Sequence, residues 1–428
     1  MIKVADMIKA NWNHNYNSDC IPNFSDNMNL PRHRWYEFKE GFGASLVERA
    51  IIETRESCEK EILTVVDPFS GSGTTPLTAL QKNCDVIGFE VNPFMNFVSK
   101  TKCKRSEGSR ISYLKELEWL MAQKPFEIQS SLENISSFSE ECGKDKWLFN
   151  KSVLRAFEAL KKYIGKVEHK DFFFLALISA IMQCSNAKKD GKCLRYKKNW
   201  QELNYSVDIL REKFYLNALE VIEDAEKEPL LRGKRKFLLG DSRVNMHKVD
   251  KECADLIVFS PPYLNSFDYS DIYRPELFLA EYVADNIELR EIRKHTLRSH
   301  VQYKWETHNK SNSIWAQRIA AELDNKKDYL WNKDIPSVVD DYFYDMERIL
   351  EESYRIASKG AQLWFVVSTS AYAGIEIPVD LILADIAVKQ GWMLKNVNAL
   401  RKLRTSSQCV DENKKKIKLR ESLIMCQK

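Results

Sequence analysis

The sequence predicts an α/β protein built around a mostly parallel sheet, with two substantial insertions. Short apolar runs rich in β-branched residues alternate with segments of helical periodicity near the start and in the last part of the chain. Two such runs, Ile62–Val66 and Val86–Phe89, flank a glycine turn and a helical stretch, which is the pattern of a βαβ unit. Residues 106–235 instead carry helical periodicity, and residues 285–335 are polar and aromatic without a clear period.

The other predicted elements extend this alternation. Helices are expected near 41–56, 114–120, 153–164, 172–182, 207–222, 338–357 and 379–388, the last two closed by Gly360 and Gly391. Strands are expected at 237–239, 256–259, 362–367, 397–400 and 423–426.

Composition excludes several classes of protein. The 428 residues are 44% hydrophobic and 29% charged, the balance of a soluble globular protein, and the net charge of +4 permits a nucleic-acid partner without requiring one. The longest apolar run, residues 172–182, is about half of the ~20 residues that a membrane span needs. The N-terminus does not read as a secretory signal, and the ten cysteines form no CxxC motif. We therefore expect reduced thiols in a cytoplasmic protein, with no membrane segment and no metal site.

A glycine turn is the first motif that carries chemistry. Residues Asp67–Thr75, with the sequence DPFSGSGTT, directly follow a predicted strand and open a helix. Gly71 and Gly73 let the backbone approach a ligand closely, and a helix N-terminus offers free N–H donors. The Walker lysine is lacking and Pro76 stands where GxGxxG has its third glycine, so neither a phosphate loop nor a hydride-transfer site is predicted. Glu90, at the end of the second strand, can accept hydrogen bonds from both hydroxyls of a ribose.

The tetrapeptide SPPY, at Ser260–Tyr263, is the second motif and ends a predicted buried strand. Its two prolines, Pro261 and Pro262, cannot continue a sheet and hold the chain in one stiff extended shape. This suits methylation of an exocyclic amine, a poor nucleophile because its nitrogen is conjugated with the ring. Acceptors at Ser260 and the Pro261 carbonyl can hold both amine hydrogens, and Tyr263 can stack on the base.

Together these motifs resemble those of site-specific DNA amino-methyltransferases of the N4-cytosine/N6-adenine group, which depend on S-adenosylmethionine. The resemblance covers roughly residues 40–110 and 236–428. It implies a Rossmann-like methyltransferase fold with a mostly parallel seven-stranded sheet, S-adenosyl-L-methionine as cofactor and double-stranded DNA as partner. A cognate restriction endonuclease is a possible second partner.

The resemblance also implies a set of cofactor contacts. These are Asp67, Pro68, Phe69, Gly71, Gly73, Thr74, Glu90 and Asp241. Asp241 is expected to accept from the adenine amine, although it could instead cap a helix. The segment Arg32–Leu46 stands where related enzymes have residues that reach the methionine end, although Trp35 and Tyr36 could equally be core residues.

The target base and the reaction have several competing interpretations. Serine at the first position of the tetrapeptide is commoner in N4-cytosine enzymes, so we predict N4-methylcytosine formation, as part of restriction–modification, with N6-adenine as the alternative. RNA guanine-N2 methylation and a catalytically dead DNA-binding module are weaker alternatives. Cytosine C5 methylation needs a cysteine nucleophile, usually in a Pro-Cys pair, and no proline precedes any cysteine here.

Three basic stretches are candidates for DNA contact. Residues 188–198 carry six Lys/Arg against one Asp, 290–335 carry ten against six acids, and 395–420 carry nine against two. Phosphate neutralisation would make binding depend on salt, although a solvated surface is the commoner explanation for any single stretch. We predict that 285–335 reads bases and that 188–198 holds phosphates. The predicted DNA-binding residues are Lys188, Lys189, Lys192, Arg195, Asn265, Tyr269 and Arg298.

These predictions divide the chain into four parts. They are an N-terminal arm and helix (1–60), a helical insertion (106–235), a candidate target-recognition segment (285–335), and a methyltransferase catalytic domain made of 61–105, 236–284 and 336–428.

Overall fold

A computed structural model describes residues 12–13, 24–38, 41–124, 128–191, 193–228, 232–403 and 417–428. The strands are β1 (Trp12–Asn13), β2 (Thr64–Asp67), β3 (Asp85–Glu90), β4 (Ala187–Asp190), β5 (Cys193–Tyr196), β6 (Arg235–Leu239), β7 (Ala254–Phe259), β8 (Ala357–Ser368), β9 (Ser370–Tyr372), β10 (Ile375–Ile377), β11 (Met393–Lys402) and β12 (Arg420–Gln427). The α-helices are α1 (Ala44–Cys58), α2 (Thr74–Gln81), α3 (Pro93–Lys102), α4 (Arg110–Ala122), α5 (Lys151–Ile164), α6 (Lys170–Gln183), α7 (Val207–Lys227), α8 (Ser242–Asn245), α9 (Tyr269–Ile272), α10 (Arg274–Leu279), α11 (Asn286–Lys294), α12 (Ile314–Asn325), α13 (Ile335–Ile356) and α14 (Val379–Lys389).

The central sheet has the strand order β1-β11-β12-β8-β7-β2-β3-β6. Strands β2, β3, β6, β7 and β8 are parallel, and β12 lies antiparallel between β8 and β11. Because β1 adds only two residues at one edge, the main sheet has seven strands, of which one is antiparallel. The predicted Rossmann-like fold is confirmed.

Alternating side chains of the sheet bury two separate cores. Val65 and Val258 pack with α1 and α2 on one face, whereas Val66 and Ile257 pack with α13 and α14 on the other. A parallel sheet covered on both faces needs nearly continuous apolar strands, and all six residues of β7 are buried. The chain leaves β2 toward β3 and β6 on one side and later returns to β7 on the other, so a crevice opens beyond the carboxyl ends of β2 and β7.

Helices α4–α7 build a third core, which also receives the segment around Trp35 and Tyr36. The carboxylate of Asp224 on α7 holds this segment: it accepts from the Arg32 backbone N–H at 2.8 Å, the Trp35 indole at 3.0 Å and the Arg34 guanidinium at 2.7 Å. The interpretation of Trp35 and Tyr36 as core residues is therefore the one that the structure bears out.

The structure departs from the sequence-based elements at three places. Gly360 does not close α13, because the chain passes directly into β8 and Gly360 lies inside that strand at a φ of 81°. Residues 285–335, where no helical period was predicted, contain the α-helices α11 and α12. The antiparallel strands β4 and β5 pair as a β-hairpin within the insertion that was predicted to be helical. No described helix has the length and apolar character needed to cross a bilayer.

Candidate active site

A cavity of about 940 Å³, including its open mouth, lies where β2, β3, β6 and β7 end. The predicted site residues that line it are Pro68, Phe69, Gly71, Glu90, Asp241, Ser260, Pro262 and Tyr269. Within the described residues, Asp67, Gly73, Thr74, Pro261 and Tyr263 do not line the cavity.

The glycine turn is fixed by hydrogen bonds between neighbouring strand ends. The Gly71 N–H donates to Glu90 Oε2 at 2.7 Å, and the Asn92 N–H donates to Glu90 Oε1 at 2.8 Å. The Phe69 N–H donates to Asp67 Oδ1 at 2.8 Å. One carboxylate thus ties the turn after β2 to the end of β3, while the other shapes the turn from within.

Both of these carboxyl groups have raised pKa values because they are buried. Burial raises the pKa of Glu90 to about 7, and the hydrogen bonds from Asn92, Gly71 and Val91 offset only part of this shift. Burial likewise raises the pKa of Asp67 to about 7, with a smaller contribution from the nearby Glu90 charge. The two carboxyl groups therefore change charge near neutral pH.

Gly71 and Gly73 are required to be glycine for different structural reasons. Gly73 has a φ of 90°, and a Cβ there would lie 2.6 Å from the Ser99 hydroxyl and 3.0 Å from the Ser99 Cα on α3. Gly73 thus permits close packing of the turn on α3 rather than close approach of a ligand, which corrects the reason given from sequence. Gly71 has a φ of 49°, and its Cβ would lie 3.0 Å from the ring of Phe38, which itself lines the cavity.

The structure is compatible with both roles predicted for Asp241, the helix cap and the cofactor contact. It caps α8 by accepting from the Arg243 N–H at 2.9 Å, and it also lines the cavity. The Arg243 guanidinium forms a salt bridge to the same carboxylate at 2.7 Å. The cap does not exclude a cofactor contact, since each carboxylate oxygen has more than one acceptor position.

The SPPY tetrapeptide leaves β7 at the wall of the cavity. The Ser260 hydroxyl donates to the Val366 carbonyl at 3.1 Å, so its oxygen keeps acceptor capacity for another group. Tyr263 donates its hydroxyl hydrogen to Glu421 on β12 at 2.8 Å and does not line the cavity, so the structure does not bear out its predicted stacking on the base. The tetrapeptide is also tied to the first motif, because the Thr75 hydroxyl at the start of α2 donates to the Val258 carbonyl of β7 at 3.4 Å.

Much of the remaining wall is aromatic and escaped sequence reasoning. Phe38 and Tyr273 stack with ring centroids 5.6 Å apart and planes 8° from parallel, and both line the cavity. The ring centroids of Phe267, on the loop after SPPY, and of the predicted Tyr269, at the start of α9, lie 4.5 Å apart. Phe38 falls within the Arg32–Leu46 segment already singled out from the sequence, but no periodicity distinguishes it from its buried neighbours.

Among the side chains of residues 188–198 that were predicted to hold phosphates, some face solvent and one faces the protein interior. Lys188 and Arg195 are exposed on the β4–β5 hairpin, and Arg195 pairs with Asp190 at 3.0 Å. Lys189 points inward: its ammonium pairs with the fully buried Glu276 and lies 3.9 Å from the Tyr273 ring centroid. The prediction that Lys189 contacts phosphates is therefore wrong, because its charge neutralises a buried carboxylate. The predicted contact at Lys192 lies outside the described residues.

Arg298 is also misassigned as a DNA contact. Only 5% of the residue is exposed, and its guanidinium bonds Asp341 at 2.6 Å and Asp345 at 2.6 Å. A side chain enclosed by two carboxylates of α13 cannot reach a phosphate. Asn265 uses its side-chain oxygen to accept from the Phe267 N–H at 3.1 Å, and Tyr269 lies in the cavity wall.

Comparison with known proteins adds independent information. No protein-family model matches the chain. Type II methyltransferase M.AvaI from Nostoc sp. is 27% identical over 417 residues, covering 90% of this chain and 84% of the relative. M.BsoBI from Geobacillus stearothermophilus is 26% identical over 458 residues, covering 95% and 88%. The chain is similar to type II methyltransferases. A further relative, M.MvaI from Kocuria varians, is 20% identical and covers 88% and 85%.

Solved structures give more distant likenesses. The rRNA methyltransferase aviRa from Streptomyces viridochromogenes superimposes with a TM-score of 0.29 at 10% identity, covering 91% of this chain and 86% of the other. Geranyl diphosphate methyltransferase superimposes with a TM-score of 0.30 at 7% identity, covering 100% and 93%.

Proposed function

We propose that the protein is a DNA methyltransferase that transfers a methyl group from S-adenosyl-L-methionine to the exocyclic N4 of cytosine, as part of restriction–modification. The observation that carries this proposal is the meeting of two motifs at one cavity. The glycine turn after β2 and SPPY after the adjacent β7 both open on it. Similarity to type II methyltransferases over about nine tenths of the chain supports the same assignment.

The donors and acceptors at the cavity fit this cofactor. Glu90 stands at the end of β3, where its carboxylate can accept from the ribose hydroxyls, and Asp241 can accept from the adenine amine. Pro68, Phe69 and Gly71 form the wall between them and SPPY, while Asp67, Gly73 and Thr74 support the turn from inside. When bound, the cofactor supplies an activated methyl group on a sulfonium.

The protein's own part in the reaction is to hold the amine and exclude water. Ser260 has already given its hydrogen to the Val366 carbonyl, so its oxygen can accept one amine hydrogen. Pro261 does not line the cavity in the unliganded protein, so a shift of the tetrapeptide on binding of the base would bring its carbonyl to the other amine hydrogen. Two such acceptors draw the nitrogen lone pair out of conjugation with the ring. The base must leave the duplex, at a cost of a few kcal/mol. Stacking on the aromatic wall, worth about 1–3 kcal/mol per base, offsets part of this cost.

The choice of cytosine rests on Ser260. Cytosine N3 is the more basic ring nitrogen and needs no carboxylate beside the reacting amine, so a neutral hydroxyl suffices. N6-adenine methylation is the second candidate, since adenine also presents an amine next to a ring nitrogen.

DNA is held, in this proposal, by the exposed side of the β4–β5 hairpin and by the mouth of the cavity. Lys188 and Arg195 supply the phosphate contacts there, and Asn265 and Tyr269 lie next to the tetrapeptide. Residues 285–335 retain a role in recognising the target, because Ile292 of α11 and several residues from His295 to His300 line the cavity. We further infer a prokaryotic, cytoplasmic location and a cognate restriction endonuclease as biological partner.

Transfer of tritium from methyl-labelled S-adenosylmethionine tests this proposal. We expect label in unmodified double-stranded DNA and none in RNA of matched composition. Label in RNA alone would favour a guanine-N2 enzyme. Binding of the cofactor in calorimetry without any transfer would favour a DNA-binding module that lacks activity, and absence of cofactor binding would contradict the assignment of the cavity.

A further inference from the structure

A continuous chain of ion pairs connects Asp241, in the lining of the cavity, to helix α13. Asp241 is paired with Arg243, and Arg243 is paired in turn with Asp345 on α13. Asp345 also binds Arg298 through two carboxylate contacts, at 3.0 Å and 2.6 Å. Arg298 reaches Asp341, one turn earlier on α13, at 2.6 Å.

Arg243 contacts both Asp241 and the backbone of residues 295 and 296 directly. Its guanidinium donates to Asp241 Oδ1 at 2.9 Å on the cofactor side. It also donates to the backbone carbonyls of His295 at 3.3 Å and Thr296 at 3.2 Å, and both of these residues line the cavity. The planar guanidinium, with five donors in fixed directions, can hold these partners at once, whereas an ammonium group cannot match the geometry.

The carboxylates of α13 anchor the segment beyond these carbonyls. Asp341 accepts from the Asn309 N–H at 2.8 Å and contacts His308 Nδ1 at 2.5 Å. Glu347 accepts from the Asn312 N–H at 3.0 Å. Residues 298–312 are therefore held to α13 by ionic and backbone contacts, and Arg243 joins this assembly to Asp241.

We propose that Arg243 is a positioning residue that couples cofactor binding to DNA binding. This proposal rests on the proposed function. A cofactor whose adenine amine donates to Asp241 fixes that carboxylate, and hence the orientation of Arg243. Arg243 in turn fixes the backbone at His295 and Thr296, which lines the cavity proposed to receive the base. Binding of either ligand thus orders part of the cavity that the other contacts, so the cofactor increases the affinity for DNA and DNA increases the affinity for the cofactor.

Calorimetry with S-adenosylhomocysteine, the unreactive product, measures this coupling. The dissociation constant is determined alone and with a saturating duplex that carries the methylated site found by sequencing. We expect the duplex to tighten binding of the product by about 5- to 150-fold in the wild-type protein, the usual range of coupling between sites. In Arg243→Lys the ratio should fall to near one.

Two further variants separate positioning from a general loss of structure. Asp345→Asn keeps the side-chain shape but removes the charge that joins Arg243 to Arg298, so it should lower the coupling while leaving the affinity without DNA within about twofold. Arg355→Lys is the matched control. Arg355 also ties α13 to the segment that follows α8, through the Met246 carbonyl at 2.8 Å and the Val249 carbonyl at 3.1 Å. It does not line the cavity. It should retain wild-type coupling.

Three results would overturn the proposal. They are a wild-type ratio near one, an unchanged ratio in both Arg243→Lys and Asp345→Asn, or an equal loss in Arg355→Lys. Failure of the wild-type protein to bind S-adenosylhomocysteine at all would instead contradict the proposed function, so the two failures are distinguishable. If Arg243→Lys does not fold, Asp345→Asn carries the test.

Discussion

Replacing Glu90 with glutamine removes a charge at the centre of the proposed cofactor site while keeping the side-chain shape. In the structure the two carboxylate oxygens accept from the Gly71 N–H at 2.7 Å and from the Asn92 N–H at 2.8 Å. A ribose would add two further hydrogen bonds to the same ionised group. Each hydrogen bond to a charged group contributes about 1.5–3 kcal/mol, so Glu90→Gln, which keeps one acceptor oxygen, should weaken binding of S-adenosylhomocysteine by roughly 10- to 150-fold at pH 8. Glu90→Ala, which keeps none, should weaken it further.

The raised pKa of Glu90 gives this prediction a pH dependence. Burial raises the pKa to about 7, so the carboxyl is mostly protonated at pH 6 and mostly ionised at pH 8. Only the ionised form accepts at every position, and its fraction increases roughly tenfold over this interval. The affinity of the wild-type protein should therefore increase about tenfold from pH 6 to pH 8. For the unliganded protein the sign is opposite: its stability falls as the pH rises from 4.5 towards 7, because the unfolded state loses this proton first.

Isothermal titration of the wild-type protein and Glu90→Gln at both pH values is the assay. Asp85→Asn is the matched control, since Asp85 lies at the other end of β3 and accepts from the Lys234 N–H at 2.7 Å without lining the cavity. The control should keep wild-type affinity at both pH values. A pH dependence that persists in Glu90→Gln would assign the titration to Asp67 and refute the reasoning, as would a wild-type affinity independent of pH.

Three further predictions concern other parts of the molecule. Lys188→Ala should weaken binding to cognate and random DNA about equally and reduce the salt slope by about 0.9. Lys189→Met should instead leave a buried carboxylate unpaired and lower the free energy of unfolding in urea by about 3–5 kcal/mol. The reverse pattern would contradict our assignment of Lys188 to the outer side of the hairpin and Lys189 to the inner side. Gly73→Ala should lower the melting temperature more than Gly360→Ala. Both glycines have a positive φ, but a Cβ at Gly73 would clash with α3, whereas a Cβ at Gly360 would point into open space. Equal losses would mean that backbone strain alone accounts for the effect. Ser260→Ala should lower kcat while leaving the dissociation constant of S-adenosylhomocysteine within about twofold, and unchanged turnover would remove its hydroxyl from the mechanism.

The sheet and the two motifs could be predicted because their signals are local. The strands β2 and β3 are short apolar runs next to a glycine turn, and SPPY stops β7 by the chemistry of proline itself. The order of these elements along the chain then brings the turn and the tetrapeptide to adjacent strand ends, since parallel strands present their carboxyl ends at one edge.

The charged residues could not be predicted in the same way, because composition does not show which side of an element a side chain faces. Lys188 and Lys189 are neighbours on β4, yet the pleat turns one outward and the other toward Glu276, 87 residues later. Arg298 lies in a basic stretch, but its partners are on α13, more than forty residues away. A buried ion pair between distant segments leaves no pattern in the local sequence.

Gly360 shows a different reason for failure. A glycine shortly after a helical period usually marks a helix end, but α13 passes into β8 without a loop, and Gly360 takes a positive φ within the strand. The register between β7 and β8 shifts at this point, with Ala254 opposite Ala357 and Leu256 opposite Gln362. Glycine thus serves both at an irregularity of a sheet and at a helix cap, and only the pairing of β8 with β7 shows which of the two applies at Gly360.

Mass spectrometry of nucleosides from DNA treated with the purified protein and S-adenosylmethionine tests the central claim most directly. The account predicts N4-methylcytosine, formed only when both the protein and the methyl donor are present. N6-methyladenine without N4-methylcytosine would contradict the assignment of the base to Ser260 while leaving the reaction class intact. C5-methylcytosine, or no methylated nucleoside from a protein that binds the cofactor, would contradict the account of SPPY as the site that holds an exocyclic amine.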